Sequence, residues 1–207
     1  KCLNMEKGLR NKKDTITKIR EIVEENPFLS KFYTDIKEYA LQTEAFFLFN
    51  RFKQLEDIEK NVLSLSKCVI SDYHIIKNLI FAGITLDKMQ FHRYKQVYNI
   101  FVNDLPQPDI IIYLNSNTDV LMKRIAMRDR SFERQMDRSY INGLSMEYKY
   151  YFNPLSIKHN FMGKEPIIIE IDNSNLDFLN KEEDRKFIID KVEEAISILG
   201  GETACSN

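Results

Sequence analysis

The stretch Asp109-Ile110-Ile111-Ile112-Tyr113-Leu114 decides the fold. It follows Pro108, sets large apolar residues side by side with no polar alternation, and is closed by the turn-forming Asn115-Ser116-Asn117. A run this short, bounded by turn residues and apolar on both faces, reads as a strand buried in a parallel sheet. Pro166-Ile167-Ile168-Ile169-Glu170-Ile171, leading into Asp172-Asn173, repeats the pattern, and Cys68-Val69-Ile70-Ser71-Asp72 is a third such strand, ending in a carboxylate. Ile16, Ile19, Ile22 and Val23 make a looser apolar segment that also suits a strand, ended by Asn26-Pro27.

Between the strands the period changes to that of a helix. Leu41, Ala45, Leu48, Phe52 and Leu55 recur every three or four residues, predicting a helix over 35–60 with these on one face and Gln42, Phe46 and Phe49 on the next. Further helices are expected over 75–81, 86–104, 119–128 with Thr118 as its cap, 136–152 and 182–199, followed by a frayed tail over 200–207. Apolar strands alternating with helices argue an α/β fold, a parallel sheet flanked by helices on both faces. There are no internal repeats and no linker, so 1–207 is expected to be a single domain.

Composition narrows the function. The 30 Lys and Arg nearly cancel the 31 Asp and Glu, leaving a net charge of −1, which gives no global attraction to nucleic acid or to a membrane surface. Any anion must be held by a local cluster. Cys2, Cys68 and Cys205 are scattered, and His74, His92 and His159 stand apart from them, so neither a disulfide framework nor a zinc site is expected. No apolar run approaches the roughly 18–20 residues of a membrane span, and the start carries no signal-peptide core. A soluble protein of the reducing cytoplasm is the expectation.

In parallel α/β sheets the ligand crevice lies beyond the carboxyl ends of the strands. That places candidates in 21–26, 72–74, the segment after Leu114, and at Asp172. The densest charge is in Arg124-Ile125-Ala126-Met127-Arg128-Asp129-Arg130-Ser131-Phe132-Glu133, with Arg134 and Arg138 beyond it. Guanidinium forks suit a multivalent anion such as phosphate. Taken alone, the same arginines equally describe a solvated helix face.

Several blocks taken together are more specific. Glu21-Ile22-Val23-Glu24-Glu25-Asn26-Pro27-Phe28-Leu29-Ser30-Lys31-Phe32-Tyr33, then Leu41-Gln42-Thr43-Glu44-Ala45-Phe46-Phe47-Leu48, Arg51-Phe52-Lys53-Gln54-Leu55, Ser71-Asp72-Tyr73-His74, and the Arg-x-Arg-x-x-Glu of 128, 130 and 133 fall in the order seen in the deoxynucleoside kinases. The chain resembles that family from residue 21 to about 172, nearest to its bacterial deoxyguanosine and deoxyadenosine kinases.

The resemblance implies the P-loop kinase-like fold, ATP and Mg2+ as cofactors, and transfer of the γ-phosphoryl group to the 5′-hydroxyl of a purine deoxynucleoside in nucleotide salvage. Glu21 matches the carboxylate that takes the hydroxyl proton. Gln42 matches the amide that pairs with the base, and Phe46 and Phe49 stand where rings stack on it, although aromatics at this spacing also describe plain core. Tyr33 and Glu133 match the pair that reads the sugar 3′-hydroxyl. Arg128 and Arg130 match the lid arginines, in a lid over about 124–138, and Asp172 is expected with them on the cofactor side. Asp72 stands where relatives carry an acid that helps hold Mg2+. The usual Asp-Arg-Ser is replaced by Asp72-Tyr73-His74, so the cation near the 5′-oxygen is left open, with Lys77 a substitute and His74 at least as much a structural residue. A homodimer built from helix faces in 41–52 and 86–100 is also implied.

The resemblance fails at the front. The family's Gly-x-x-x-x-Gly-Lys-[Ser/Thr] loop has no match, and Gly8 and Gly83 are the only glycines before residue 143. Its lysine belongs about 20 residues before Glu21, at Lys1 or just ahead of it, with Cys2 in place of the hydroxyl and 3–10 as the following helix. Loss of a central first strand leaves bare sheet edges, so a chain cut at its N-terminus is expected, inactive with ATP by itself. Two rivals remain: a non-catalytic nucleoside-binding or regulatory paralogue lacking the loop, and another P-loop monophosphate kinase. The latter needs a basic pocket near 33–50, for which Arg51 and Lys53 are too few and are expected to point elsewhere.

Overall fold

Strands β3 (Ile110–Asn115) and β4 (Ile167–Asp172) run parallel from Ile110 opposite Ile167 to Asn115 opposite Asp172 in a computed structural model, which describes residues 16–23, 25–65, 68–134, 136–153, 156 and 165–204. Strands β1 (Thr17–Ile19) and β2 (Val69–Ser71) form a shorter parallel pair. The expected parallel strands flanked by helices are present, but as two pairs; no described strand joins them. The expected loop lysine at Lys1 and helix over 3–10 lie outside the described residues.

The helices are α1 (Leu29–Phe32), α2 (Ile36–Asn61), α3 (Lys77–Thr85), α4 (Lys88–Val102), α5 (Thr118–Arg128), α6 (Arg138–Tyr151) and α7 (Glu182–Ala204). Local chemistry sets their starts. The Asp35 carboxylate accepts the Glu38 N–H at the head of α2, and Asp87 with Gln90 forms a reciprocal capping box on α4. At α5 the cap is Asn117, which accepts from the Val120 N–H; the expected cap, Thr118, is the first helical residue and donates to Asn142 instead. The expected tail from residue 200 is also corrected. Helix α7 runs through Gly200 to Ala204, since glycine weakens a helix by about 1 kcal/mol without removing an N–H as proline does.

The main core gathers around Phe32, Leu48, Ile76 and Ile80, between α1, α2 and α3, and reaches β3 through Ile111 and Tyr113. The Tyr113 ring stacks on Phe152 at 5.0 Å and on Tyr148 at 6.1 Å, fixing α6 against the strand. On the opposite face of the β3–β4 pair, Ile169 and Ile171 pack on Ile188, Val192 and Ala195 of α7. Helix α7 covers β4 but not all of β3. Ile112 and Leu114 are exposed, so burial of β3 on both faces is not met among the described residues.

Helix α2 is turned relative to the expectation. Its buried residues are Ala40, Thr43, Glu44, Leu48 and Arg51, while Leu41 and Gln42 are exposed. Three of those five are polar. A reading that follows apolar residues alone therefore mistakes which side faces inward.

Candidate active site

The parallel pairing of β1 and β2 brings the chain beyond Ile19 and the chain beyond Ser71 to the same end of the strands. There the Glu21 N–H donates to Asp72 Oδ1 at 2.8 Å, and the Asp72 N–H donates to the Ile19 carbonyl at 3.2 Å. The Glu21 carboxylate is clamped by two cations. Lys77, at the first turn of α3, donates to both its oxygens at 2.7 and 3.0 Å, and Arg51 of α2 donates to Oε1. Arg51 is buried, lies over the Phe47 ring, and donates its other terminal nitrogen to Asn78 at 2.7 Å. Burial alone raises the Glu21 pKa, but Lys77 and Arg51 outweigh it and hold the carboxyl below its ordinary value. Glu21 is thus a carboxylate at neutral pH.

The second half of the site comes from the end of α5. Asp129 closes that helix in the left-handed region, at φ 47°, and the chain then makes a short 3-10 turn over Ser131–Glu133. This tight return brings Glu133 back beneath Arg128, which donates to its Oε2 at 2.6 and 3.0 Å; Arg130 is 3.6 Å from Oε1. Glu133 is buried, whereas Arg128 is about half exposed. Tyr33 stacks on Phe132 at 6.0 Å, and burial, then Glu133, push its phenol up, so it stays protonated. Arg124, in the same basic run, is tied elsewhere: it donates to Asn173 and Ser116, joining α5 to the turn after β4.

A cavity of about 210 Å³ joins the two halves. Of the expected residues, Glu21, Tyr33, Arg128, Arg130 and Glu133 line it; Gln42, Phe46, Asp72 and Asp172 do not. Gln42 sits on the exposed side of α2, and Phe46 meets Phe47 edge-on while Phe47 holds the cavity wall. Phe49 is half exposed and packs on Phe101. Asp72 is exposed behind the Glu21 backbone, and Asp172 caps its own turn by accepting from the Ser174 N–H. Sequence reasoning assigns no site role to Glu44 or Arg51, which also line the cavity and lie seven residues apart, two turns on one helix face. Arg51, expected to point elsewhere, points inward.

The substituted positions after β2 have structural partners. Tyr73 donates its hydroxyl to Gln54 at 2.8 Å, and His74 Nδ1 accepts the Ile76 N–H. Burial lowers His74 to about 4, so it is a neutral imidazole. The cations beside Glu21 are Lys77 and Arg51.

Among the described residues, the buried side-chain polar atoms without a hydrogen-bond partner are Thr43 Oγ1, Arg51 Nε and Tyr140 Oη, and all three residues line this cavity. Buried polar groups are nearly always paired. Three orphans around one space mark it as a polar ligand's seat. No cluster of three or more metal-ligating side chains occurs among the described residues. Asp72 does offer a hard oxygen donor, and Mg2+ needs only one or two carboxylates when phosphates and water complete its shell.

The deoxynucleoside kinase family profile matches residues 4–197. The chain belongs to the deoxynucleoside kinase family. It is 40% identical over 178 residues to the deoxyguanosine kinase of Bacillus subtilis (strain 168), covering 86% of this chain and 84% of that one. It is 28% identical over 193 residues to the deoxyguanosine kinase of Lactobacillus acidophilus, covering 87% and 79%. A solved structure of deoxyadenosine kinase from M. mycoides with bound dATP superposes with a TM-score of 0.70 at 23% identity over 86% of each chain, a likeness of fold.

Proposed function

We propose that this kinase transfers the γ-phosphoryl group of ATP to the 5′-hydroxyl of a purine deoxynucleoside, with deoxyguanosine the leading substrate and deoxyadenosine the second. The observation that carries the reading is the Glu21 carboxylate, clamped by Lys77 and Arg51 at the wall of a cavity whose other side holds Arg128, Arg130 and the Tyr33–Glu133 corner. The names of the Bacillus and Lactobacillus relatives support the choice of base.

In the proposed reaction Glu21 accepts a hydrogen bond from the 5′-hydroxyl and fixes its lone pair toward the phosphorus. A carboxylate held below its ordinary pKa does not strip an alcohol in advance; it takes the proton as the new O–P bond forms and the bond to ADP breaks. Lys77, bonded to the same carboxylate, is the cation proposed for the 5′-oxygen. Arg128 and Arg130 neutralise the transferring phosphoryl group, which requires Arg128 to exchange part of its contact with Glu133 for phosphate. Tyr33 and Glu133 hold the 3′-hydroxyl. Asp72 is the protein donor proposed for Mg2+, which would supply positive charge to the phosphates. That the Bacillus and Lactobacillus relatives are themselves kinases favours catalysis over a regulatory role.

The same reading includes a homodimer and a cytoplasmic home. Phe49 on α2 and Met89, Val97 and Ile100 on α4 are exposed on two helices that pack together, an apolar face suited to a second copy. No described helix is long and apolar enough to cross a membrane, and Cys68 is free and exposed, as suits a reducing compartment.

The test is phosphoryl transfer from ATP to each of the four deoxynucleosides by the full-length enzyme, with Glu21→Gln alongside. Purines are expected to be preferred, and Glu21→Gln to lower kcat by about two orders of magnitude with modest loss of nucleoside binding. Turnover of pyrimidines alone, or full activity in Glu21→Gln, overturns the assignment.

A further inference from the structure

Glu44 is the most buried acid around the cavity, and the mechanism gives it no task. It lies on the inner face of α2 at 2% exposure and lines the cavity with its neighbour Thr43. Thr85 of α3 donates to its Oε1 at 3.3 Å, and its backbone carbonyl accepts from the Tyr94 hydroxyl of α4. Two orphaned hydroxyls, on Thr43 and on Tyr140 of α6, line the same cavity. A carboxyl group among unpaired hydroxyls has the chemistry to meet a heterocycle's polar edge.

We propose that Glu44, rather than the exposed Gln42, is the base-reading residue of this site, and that its carboxyl pairs with the hydrogen-bonding edge of the purine. The inference rests on the proposed purine deoxynucleoside kinase reading.

The pairing follows from donors and acceptors. A carboxylic acid sets an O–H donor beside a C=O acceptor. That pattern matches the N6 amine and N1 of adenine, and equally the O6 and N1–H of guanine. An ionised carboxylate has acceptors only. It still receives the N1–H and N2 amine of guanine but faces the lone pair on N1 of adenine. The protonation state of one side chain therefore sets how far the site tolerates adenine.

Burial pushes the Glu44 carboxyl up to about 8, opposed by Arg51, Thr85 and Lys77 and reinforced by Glu21. The other titratable groups around it are the phenols of Tyr33, Tyr94 and Tyr140, all raised and therefore neutral. At neutral pH Glu44 is mainly the acid form. Between pH 6.5 and 8.5 a group with a pKa of about 8 goes from nearly all acid to about one quarter acid. The amide of Glu44→Gln keeps the donor–acceptor pair and cannot titrate.

The experiment measures kcat/KM for deoxyguanosine and deoxyadenosine at pH 6.5 and 8.5 in the full-length wild type, Glu44→Gln and Glu44→Leu, each checked for cooperative thermal unfolding. In the wild type the deoxyadenosine-to-deoxyguanosine ratio is expected to fall about fourfold across that range. In Glu44→Gln the ratio is expected to stay constant. Glu44→Leu is expected to lose on the order of 100-fold in kcat/KM for both purines, expressed in nucleoside KM, with the KM for ATP unmoved. A wild-type ratio that does not change with pH, or a change that persists in Glu44→Gln, overturns the proposal; these outcomes need only the near-isosteric variant to fold. Failure to phosphorylate either purine at any pH overturns the kinase reading itself, a result distinct from active enzyme with unaltered base preference.

Discussion

The two cations beside Glu21 differ in what their loss does. Arg51 is buried and also bonds Asn78, so Arg51→Met leaves Asn78 short of a donor and Glu21 with one cation. Breaking such a pair costs about 3–5 kcal/mol, to be read from the urea midpoint. Lys77 is more open, and its removal acts on titration. With burial still raising Glu21 and one lowering charge gone, the pKa of Glu21 moves up, and the acid limb of the kcat profile in Lys77→Met should move to higher pH. An unmoved limb would detach Glu21 from the rate. At the sugar end, Tyr33→Phe is expected to narrow roughly tenfold the preference for a deoxynucleoside over its 3′-deoxy analogue, because the site loses a partner without gaining a clash. Equal discrimination in Tyr33→Phe and Glu133→Gln would count against that pair. Glu21 was legible beyond a strand, and Arg128, Arg130 and Glu133 in a charged run, whereas Tyr33 was reached through the family resemblance alone. Glu44 and Arg51 were not legible, because they occupy positions that an apolar helix period assigns to the core. Their signal was present all the same: two ionisable residues two turns apart on a face otherwise made of Ala40, Thr43 and Leu48.

Among the elements, the turn after α5 has the most specific demand on its sequence. Asp129 holds φ at 47°, which L-residues other than Asn and Asp rarely adopt, and its carboxylate pairs with Arg134 at 2.8 and 3.0 Å. Asp129→Gly and Asp129→Ala both lose that pair, but only alanine meets the steric penalty of the left-handed region. The alanine variant should melt a few degrees below the glycine variant, and equal melting would mean that the turn relaxes. The strands β3 and β4 were read almost to the residue, because an unbroken apolar run between prolines and turn formers admits few alternatives. The division of the strands into two pairs was less legible. Pairing depends on which segments meet in space, and the apolar run of β3 contains nothing that says Ile112 and Leu114 stand open while Ile111 and Tyr113 are covered.

For the whole molecule, two buried groups give stability opposite pH slopes. His74 is lowered to about 4, so the unfolded chain binds its proton more readily and stability rises with pH from about 4 to 6.5. Glu44 is raised from 4.5 to about 8, so the unfolded chain releases its proton first and stability falls with pH between those values. The two oppose each other below pH 6.5, and above it Glu44 acts alone. The urea midpoint should fall from pH 6.5 to 8 in the wild type, and that part of the fall should vanish in Glu44→Gln. Ile100 is 73% exposed on the proposed dimer face, so Ile100→Asp is expected to shift sedimentation toward the monomer while leaving the melting temperature of the fold little changed. The unequal lengths of the two strand pairs carry over to amide hydrogen exchange. Six paired residues tie β3 to β4, but only three tie β1 to β2, and Glu21 hangs from the shorter ladder. Deuterium should therefore enter the amides around residues 17–21 well before those of 110–115, and a ligand that grips Glu21 should slow that uptake back along β1, at residues it does not touch.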